Sequence, residues 1–273
     1  MIFNKKKFGQ HFLINEKIAK KIIKYILINS NYKKSIIIEI GPGKGILSKY
    51  IFSNFKKIYF IEIDKDMIFF LKKKYPFLKS KIIHYNFLLW HPKYKNLKKI
   101  YLIGNFPYNI SSQIIFWIFK NQKYVIECIG MFQKEVAERI ISKNGKKYGI
   151  ISILIQTFYK VKLLFNVSKH NFYPKPKVDS SVIKFTKKKK IIKFNKNLFL
   201  KIIKKSFNQR RKILKNSLFK ILFKTLDLYI YKKYSFFNSF FYKRAEELSY
   251  KDFIEITKKI EKICNYNGQN IKW

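Results

Sequence analysis

The sequence predicts an α/β fold in which short buried strands alternate with helices and form a mostly parallel sheet. Three observations support this prediction. Short β-branched runs recur along the first half of the chain, segments with helical spacing separate them, and 48% of the 273 residues are hydrophobic. Such a composition can bury a sizeable core and is not that of a disordered chain.

The predicted elements of the first half follow one another as strand and helix. Isoleucines at helical spacing predict a first helix, and β-branched runs bounded by turn residues predict the strands. In chain order these are a helix over residues 16–28, a strand over 35–40, a helix over 46–52, a strand over 58–63, a helix over 66–74, and strands over 82–85 and 100–103.

The order of elements changes after Gly149. Residues 150–159 and 177–185 are both strand-like, and a proline-rich loop separates them with no room for a helix. This spacing predicts an antiparallel pair at the edge of the sheet. Lys187–Lys190 is interpreted as a linker, and the remainder, from about Leu198, as helical. We therefore expect one domain over residues 1–186 and a small helical domain over 187–273.

The charge is strongly positive, with 60 Lys and Arg against 15 Asp and Glu and a formal net charge of +45. Nucleic acid is the natural partner of such a chain. Only four of the basic residues are arginine, and Lys, Ile, Asn, Phe and Tyr, which crowd the sequence, share A/T-rich codons. Part of the charge can therefore come from drift in base composition, and both contributions stay open.

Several classes of protein are disfavoured by what the sequence lacks. Cys128 and Cys264 are far apart and form no CxxC motif, so neither a zinc site nor a disulfide framework is expected. The first residues are not those of a signal peptide, and no apolar run reaches the ~18 residues that a membrane span needs. We expect a cytoplasmic protein without a metal.

A glycine-rich turn, Glu39-Ile-Gly41-Pro-Gly43-Lys-Gly45, follows the first predicted strand. Glycines there let the backbone turn sharply and approach a ligand, and the next helix offers free N–H groups at its start. The spacing GxGxG differs from the GxGxxG dinucleotide fingerprint. A turn of this kind without any ligand is the alternative interpretation.

Acidic residues strengthen the case for a ligand. Glu62 ends the second predicted strand, where parallel-sheet proteins present a carboxylate to the hydroxyls of a ribose. Asp66 is interpreted instead as the cap of the next helix. The turn and Glu62 resemble the class I S-adenosylmethionine-dependent methyltransferases. This resemblance implies that Gly41 and Gly43 border the methionine part of the cofactor and that Glu62 holds its ribose.

Asn86 departs from the pattern of these enzymes. The resemblance implies an acid after the third strand that contacts the adenine amino group, whereas here the segment His84-Tyr-Asn-Phe-Leu88 offers an amide. An amide oxygen can accept the same hydrogen bond. We therefore expect Asn86 to contact the cofactor through its oxygen, with weaker electrostatics than a carboxylate.

The segment Asn105-Phe106-Pro107-Tyr108, after the fourth predicted strand, is the most specific motif. An exocyclic adenine amine is a poor nucleophile, because its lone pair is delocalised into the ring. Acceptors for its two N–H groups favour the pyramidal, nucleophilic form. The Asn105 oxygen and the carbonyl of Phe106 or Pro107 are the predicted acceptors. Pro107 stiffens the loop, and Tyr108 offers a face for an extruded base; a proline turn with an ordinary packed tyrosine is the alternative.

This motif in this setting is similar to that of the ribosomal RNA adenine N6,N6-dimethyltransferases, and the resemblance covers roughly residues 5–250. It implies a Rossmann-like class I methyltransferase fold, with a mostly parallel seven-stranded sheet and a small C-terminal helical domain. Four further segments carry it: Phe8-Gly-Gln-His11-Phe-Leu13, Phe132-Gln-Lys-Glu-Val-Ala-Glu-Arg139, Tyr148-Gly-Ile-Ile-Ser152 and Phe172-Tyr-Pro-Lys-Pro-Lys-Val-Asp-Ser180.

The resemblance implies two sets of site residues, which share Asn105. The catalytic set acts on the target adenine, and Phe172 stacks on that base. The cofactor-binding set surrounds S-adenosyl-L-methionine. The catalytic residues are Asn105, Pro107, Tyr108 and Phe172, and the cofactor-binding residues are His11, Leu13, Gly41, Glu62, Asn86 and Asn105.

Two branches of the family act on different RNAs. The segments Phe207-Asn-Gln-Arg-Arg-Lys-Ile-Leu-Lys-Asn-Ser-Leu218 and Arg244-Ala-Glu-Glu-Leu-Ser249 resemble the small-subunit branch. That branch implies dimethylation of two adjacent adenosines near the 3′ end of 16S rRNA, on an immature small ribosomal subunit. We expect a monomer that binds neither metal nor membrane. An RNA-binding assembly factor without catalysis and a DNA adenine methyltransferase are the alternatives.

Two of the four arginines are neighbours, Arg210 and Arg211. In a chain with lysine at nearly every other basic position, this pair suggests a need for the planar guanidinium fork. Contact with RNA phosphate is one interpretation. A solvated helix face or an intramolecular pair is the other.

Overall fold

The computed structural model describes residues 9–28, 35–92, 99–223 and 238–266. Nine strands lie in these ranges, and all but two of them belong to one sheet. The strands are β1 (Phe12–Leu13), β2 (Ile36–Ile40), β3 (Ile58–Glu62), β4 (Ile82–His84), β5 (Ile100–Asn105), β6 (Val125–Gln133), β7 (Tyr159–Val167), β8 (Phe172–Tyr173) and β9 (Ser180–Lys187).

The sheet has seven strands in the order β4-β3-β2-β5-β6-β9-β7. The five strands from β4 to β6 run parallel, and β9 is antiparallel to both β6 and β7. The predicted mostly parallel, seven-stranded α/β fold is thereby confirmed. The strands β1 and β8 form a separate antiparallel pair.

A helix follows each of the parallel strands β2, β3, β5 and β6, as the alternating pattern predicts. The helix α1 places Ile22 and Ile26 in the same buried cluster as Ile37 of β2 and Ile58 of β3. The helices are α1 (Glu16–Leu27), α2 (Ser48–Asn54), α3 (Lys65–Lys74), α4 (Ser111–Lys120), α5 (Lys134–Ile141), α6 (Ile150–Phe158), α7 (Lys196–Asn208), α8 (Leu214–Phe223), α9 (Asn238–Phe241) and α10 (Tyr250–Tyr266).

Two local predictions are wrong. Residues 150–159 are not a strand: α6 spans most of this segment, and the strand that pairs with β9 is β7, which follows it. The segment is apolar at nearly every position, and such a run shows no period that separates a buried helix from a buried strand. Asp66 does not cap α3, because Asp64 is the N-cap and accepts a hydrogen bond from the Asp66 N–H at 3.1 Å.

The chain divides into two compact units. The first is drawn from Met1–Ile141 and Phe158–Lys188, and the second from Ser142–Thr157 and Lys189–Trp273. The division after Lys188 is close to the domain boundary at 186/187 that the sequence suggests. Residues 142–157, however, group with the second unit and not with the first.

Arg210 connects residues 142–157 to other parts of the second unit. Its Nε donates to Glu246 Oε2 at 2.6 Å, and its Nη2 donates to the carbonyl oxygens of Gly145 at 2.9 Å and Lys146 at 2.5 Å. One guanidinium thus ties the loop before α6 to a residue between α9 and α10. For Arg210, the structure bears out the intramolecular interpretation of the arginine pair.

Two absences hold for the described ranges. No helix there is both long and apolar enough to cross a membrane. No group of three or more His, Cys, Asp or Glu residues in the same ranges is arranged to hold a metal ion.

A buried carboxyl joins β2 to α2. Glu39 is 2% exposed and accepts a 2.7 Å hydrogen bond from the Ser48 hydroxyl. Burial raises the pKa of Glu39 to about 8, Ser48 acts in the opposite direction, and the nearby Glu62 adds to the rise. The folded chain therefore holds a proton on Glu39 at neutral pH.

We expect the stability of the chain to fall as pH rises from about 5 to about 8, because in this window the folded state keeps a proton that the unfolded state releases. Glu39→Gln removes the titrating group and still offers an oxygen to Ser48. Between these two pH values, the free energy of unfolding of the variant should fall by less than that of the wild-type chain. The difference between the two falls should be about 1 kcal/mol or more. Urea unfolding at the two pH values measures the difference.

Glu135→Gln provides the control for this prediction, since Glu135 is exposed on α5. This variant should keep the pH dependence of the wild-type chain. Equal slopes for Glu39→Gln and the wild-type chain would contradict the assignment.

Candidate active site

A cavity of about 290 Å³ opens at the carboxyl ends of the parallel strands. The turns after β2 and β4, the last residue of β3 and the end of β5 all face it, because parallel strands end at one edge of a sheet. Eight of the nine site residues that the sequence suggests line this cavity. They are His11, Leu13, Gly41, Glu62, Asn86, Asn105, Pro107 and Tyr108.

The glycine-rich turn depends on glycine for two separate reasons. Gly41, Gly43 and Gly45 all have positive φ, at 62°, 53° and 78°, a region that other residues rarely adopt. A Cβ on Gly43 would also lie 2.8 Å from a ring carbon of Phe12, closer than packed atoms approach. The turn can therefore lie against the segment Gly9–Leu13, called here the N-terminal segment.

Glu62 is fixed by backbone N–H groups on both of its oxygens. Oε1 accepts from Ile63 at 2.8 Å and from Asp64 at 3.0 Å, and Oε2 accepts from Gly43 at 3.2 Å. Burial raises the pKa of Glu62, and these N–H bonds act in the opposite direction. The carboxyl joins the glycine turn to the end of β3 and keeps acceptor sites for a ligand.

Asn86 lines the cavity after β4, and its side-chain oxygen already has a partner. Oδ1 accepts a 3.0 Å hydrogen bond from the Leu88 N–H, which closes a tight turn. The oxygen that the sequence assigns to a ligand is thus engaged within the protein.

A hydrogen bond to the N-terminal segment orients the side chain of Asn105, at the end of β5. Its Nδ2 donates to the backbone oxygen of His11 at 2.7 Å. The amide nitrogen is thereby engaged, and the amide oxygen remains the group that can accept a hydrogen bond from a ligand.

The ring of Phe106 anchors the loop that follows. It is 1% exposed and lies edge-on to Phe132, with 5.1 Å between the ring centroids. A Cβ on Gly104 would lie 2.8 Å from this ring, and one on Gly130 only 2.3 Å from it. Sequence reasoning missed both glycines, since nothing in their spacing connects them to Phe106.

The two carbonyl groups considered as acceptors differ in their surroundings. Pro107 O accepts from the Ile110 N–H at 3.2 Å and from the Ser111 hydroxyl at 3.1 Å. Phe106 O has no such partner among the described residues. Phe106 is therefore the better acceptor for a ligand.

Tyr108 packs between the N-terminal segment and β9. Its hydroxyl lies 2.7 Å from the Ser180 hydroxyl, and its ring centroid lies 5.2 Å from that of His11. Burial raises the pKa of Tyr108, so its hydroxyl stays protonated at neutral pH. The His11 ring in turn lies 2.8 Å from the backbone oxygen of Pro174, through Nδ1.

The N-terminal segment also reaches the turn after β3. Gln10 Nε2 donates to Asp64 Oδ2 at 2.9 Å, so the segment joins the turn that follows Glu62 to the loop that carries Asn105. Neither Gln10 nor Asp64 was singled out from sequence. An aspartate between two other acidic residues and a glutamine near the start of the chain give no signal of a contact over this separation.

Phe172 is the one predicted site residue that the structure does not bring to the cavity. It is 3% exposed within the hydrophobic core, in register with Leu13 in the β1–β8 pair. Strand alternation turns its neighbour outward: Tyr173 is 61% exposed, with Lys44 Nζ 5.5 Å from its ring centroid. In this arrangement Phe172 presents no face on which a base could stack.

Comparison with known proteins agrees with this geometry. The family model described as ribosomal RNA adenine dimethylase matches residues 2–262. A relative from Flavobacterium johnsoniae named ribosomal RNA small subunit methyltransferase A is 45% identical over 94% of this chain and 95% of its own length. A relative of the same name from Cytophaga hutchinsonii is 40% identical over 94% and 96%.

Two solved structures are similar to this chain over more than nine tenths of its length. A dimethyladenosine transferase from Plasmodium falciparum superposes with a TM-score of 0.79 at 26% identity, covering 93% of this chain and 98% of that one. The 23S rRNA methyltransferase ErmE gives 0.65 at 16% identity over 92% and 99%, which is a likeness of fold alone. With the family model spanning nearly the whole sequence, the chain belongs to the ribosomal RNA adenine dimethylase family.

Proposed function

We propose that this chain transfers methyl groups from S-adenosyl-L-methionine to the N6 amines of two adjacent adenosines near the 3′ end of 16S rRNA, two on each, during small-subunit biogenesis. The observation that carries the proposal is the loop after β5. There the Asn105 oxygen and the Phe106 carbonyl remain available as acceptors at the edge of the cavity that Glu62 lines. The names of the relatives support small-subunit rRNA as the substrate.

The cavity offers suitable groups for the methionine and ribose parts of the cofactor. The glycine turn brings backbone close to the methionine end, and Glu62 offers carboxyl oxygens to the ribose hydroxyls. His11, Leu13, Asn86 and Asn105 complete the proposed binding set. When bound, the cofactor supplies a methyl group on a positively charged sulfur.

The chain's own contribution is to activate the target amine. Hydrogen bonds from the two N–H groups of the amine to Asn105 Oδ1 and Phe106 O hold its nitrogen in the pyramidal form, whose lone pair can attack. The His11 contact holds the Asn105 amide in the required orientation before any base arrives. No side-chain base is needed, because the methylated nitrogen is cationic and releases its proton readily.

Tyr108 is the aromatic residue proposed to stack on the extruded base, with Pro107 stiffening the loop before it. Phe172 keeps its proposed catalytic role only if the β1–β8 pair opens when RNA binds, because its ring is buried in the core.

The proposed partner is an immature small ribosomal subunit. We infer that the chain acts on it as a monomer, in the cytoplasm and without a metal ion. Among the two arginines considered for RNA contact, Arg211 is the candidate: it is exposed, whereas Arg210 is engaged within the second unit.

A modified-nucleoside assay tests the proposed activity directly. Small subunits from cells that lack this enzyme are incubated with the chain and labelled cofactor, and the RNA is digested. We expect N6,N6-dimethyladenosine in 16S rRNA and no label in a DNA competitor. Cofactor binding without labelled RNA would instead favour the assembly-factor alternative, and labelled DNA would favour the DNA alternative.

We expect Asn105→Ala to lower turnover by about 100-fold or more, since it removes an acceptor for the target amine. Its dissociation constant for cofactor should rise less than about tenfold, because Glu62 and the glycine turn remain. Turnover and calorimetric binding give the two values. Asn197→Ala, at an exposed position at the start of α7, is the control. Undiminished turnover in Asn105→Ala would disprove the role.

We expect Arg211→Ala to weaken binding to small-subunit RNA and to reduce the slope of log affinity against log salt by about 0.7 to 0.9, the loss of one phosphate contact. Arg211→Lys keeps the charge and should keep the slope. Arg210→Ala should lower the melting temperature instead, because it leaves Glu246 unpaired. An Arg211→Ala variant with wild-type affinity and slope would exclude phosphate contact at this position.

A further inference from the structure

Asn86 lies where the base of the cofactor must lie, if the proposed function holds. Gly41 follows β2, Glu62 ends β3, and Asn86 follows β4, which pairs with β3 in the register Glu62–His84. A nucleoside whose ribose is held by Glu62, and whose other end points toward the turn after β2, extends its base toward the turn after β4. Asn86 and the apolar Ile63 and Leu88 line the cavity there.

The turn after β4 fixes which atom of Asn86 faces a ligand. The Leu88 N–H donates to Asn86 Oδ1 at 3.0 Å, and the N–H groups of Leu89 and Trp90 donate to the Asn86 backbone oxygen at 3.0 and 3.1 Å. Trp90 is 3% exposed and holds the turn in place. Rotating the Asn86 side-chain amide by 180° would place Nδ2 opposite the Leu88 N–H, so that two donors would face each other.

With Oδ1 directed at the Leu88 N–H, the polar atom of the Asn86 side chain without a partner among the described residues is its nitrogen, Nδ2. No described residue accepts a hydrogen bond from it. A carboxylate at this position would cap the same turn with one oxygen and still offer the other, an acceptor, to the ligand. Asparagine offers a donor there instead.

We propose that Asn86 reverses the hydrogen-bond polarity of the base-binding end of the site and so relaxes its preference for adenine. The 6-amino group of adenine is a donor and therefore makes no hydrogen bond with Nδ2, which is also a donor. The neighbouring ring nitrogen N1 can accept a hydrogen bond from Nδ2. A purine with a 6-oxo group presents an acceptor and pairs with Nδ2 directly. The site thus accepts a 6-oxopurine nucleoside thioether as a competing ligand, which an acid would repel.

Calorimetric titration of the whole chain tests this proposal. The two probes are S-adenosylhomocysteine and S-inosylhomocysteine, which differ in the amino or oxo group of the base and in the proton that the oxo form carries on N1. The measured quantity is the ratio of their dissociation constants, in the wild-type chain and in Asn86→Asp. We expect the substitution to shift this ratio toward the adenine compound by about tenfold or more, since it replaces a donor with an acceptor.

The outcomes separate this proposal from the proposed function. A smaller shift in the ratio overturns the role of Asn86, while failure of both compounds to bind the wild-type chain overturns the cofactor assignment itself. Asn197→Asp adds the same charge at an exposed position in the first turn of α7 and should leave the ratio unchanged.

A second measurement uses the wild-type chain alone, in case Asn86→Asp does not fold. The wild-type chain should prefer the adenine compound by less than about tenfold, since Asn86 Nδ2 pairs with the 6-oxo group and not with the 6-amino group. A stronger preference overturns the proposal.

Discussion

The close packing of Phe106 onto two strands is the constraint on which the site depends. Its ring occupies space that only glycine leaves free at positions 104 and 130, on β5 and β6. Because the ring is held beneath the loop, the backbone carbonyl of Phe106 and the side chain of Asn105 are held above it. A loop anchored in this way presents its acceptors without having to order them when the target arrives, which is what electrostatic preorganisation requires.

The N-terminal segment also holds the loop after β5 in place. His11 accepts from Asn105 through its backbone and contacts Tyr108 and Pro174 through its ring, while Gln10 reaches Asp64 beside Glu62. The cofactor end and the target end of the cavity are therefore connected by one short stretch of chain. The glycine turn allows this, since a side chain at Gly43 would collide with Phe12.

The sequence predicts the parallel sheet and most of the cavity, because strand ends in a parallel sheet are neighbours wherever they occur in the chain. It does not predict Gly104 and Gly130, whose role is a contact with one ring. Nor does it separate Phe172 from Tyr173: in a two-residue strand, the pairing with β1 alone decides which side chain is buried. The strand prediction for the segment that forms α6 is wrong for a related reason: the segment is almost uniformly apolar and has no polar face.

The contacts of Arg210 require arginine rather than lysine. Arg210 donates to one carboxylate and two carbonyl oxygens from different nitrogens of one rigid plane. A lysine has a single nitrogen and cannot span these acceptors, so Arg210 cannot be exchanged for lysine without loss of contacts, although lysine stands at nearly every other basic position. Arg210 is thus explained by contacts within the fold, whereas none of the described residues is a partner for Arg211, which is why Arg211 is the arginine proposed for RNA contact.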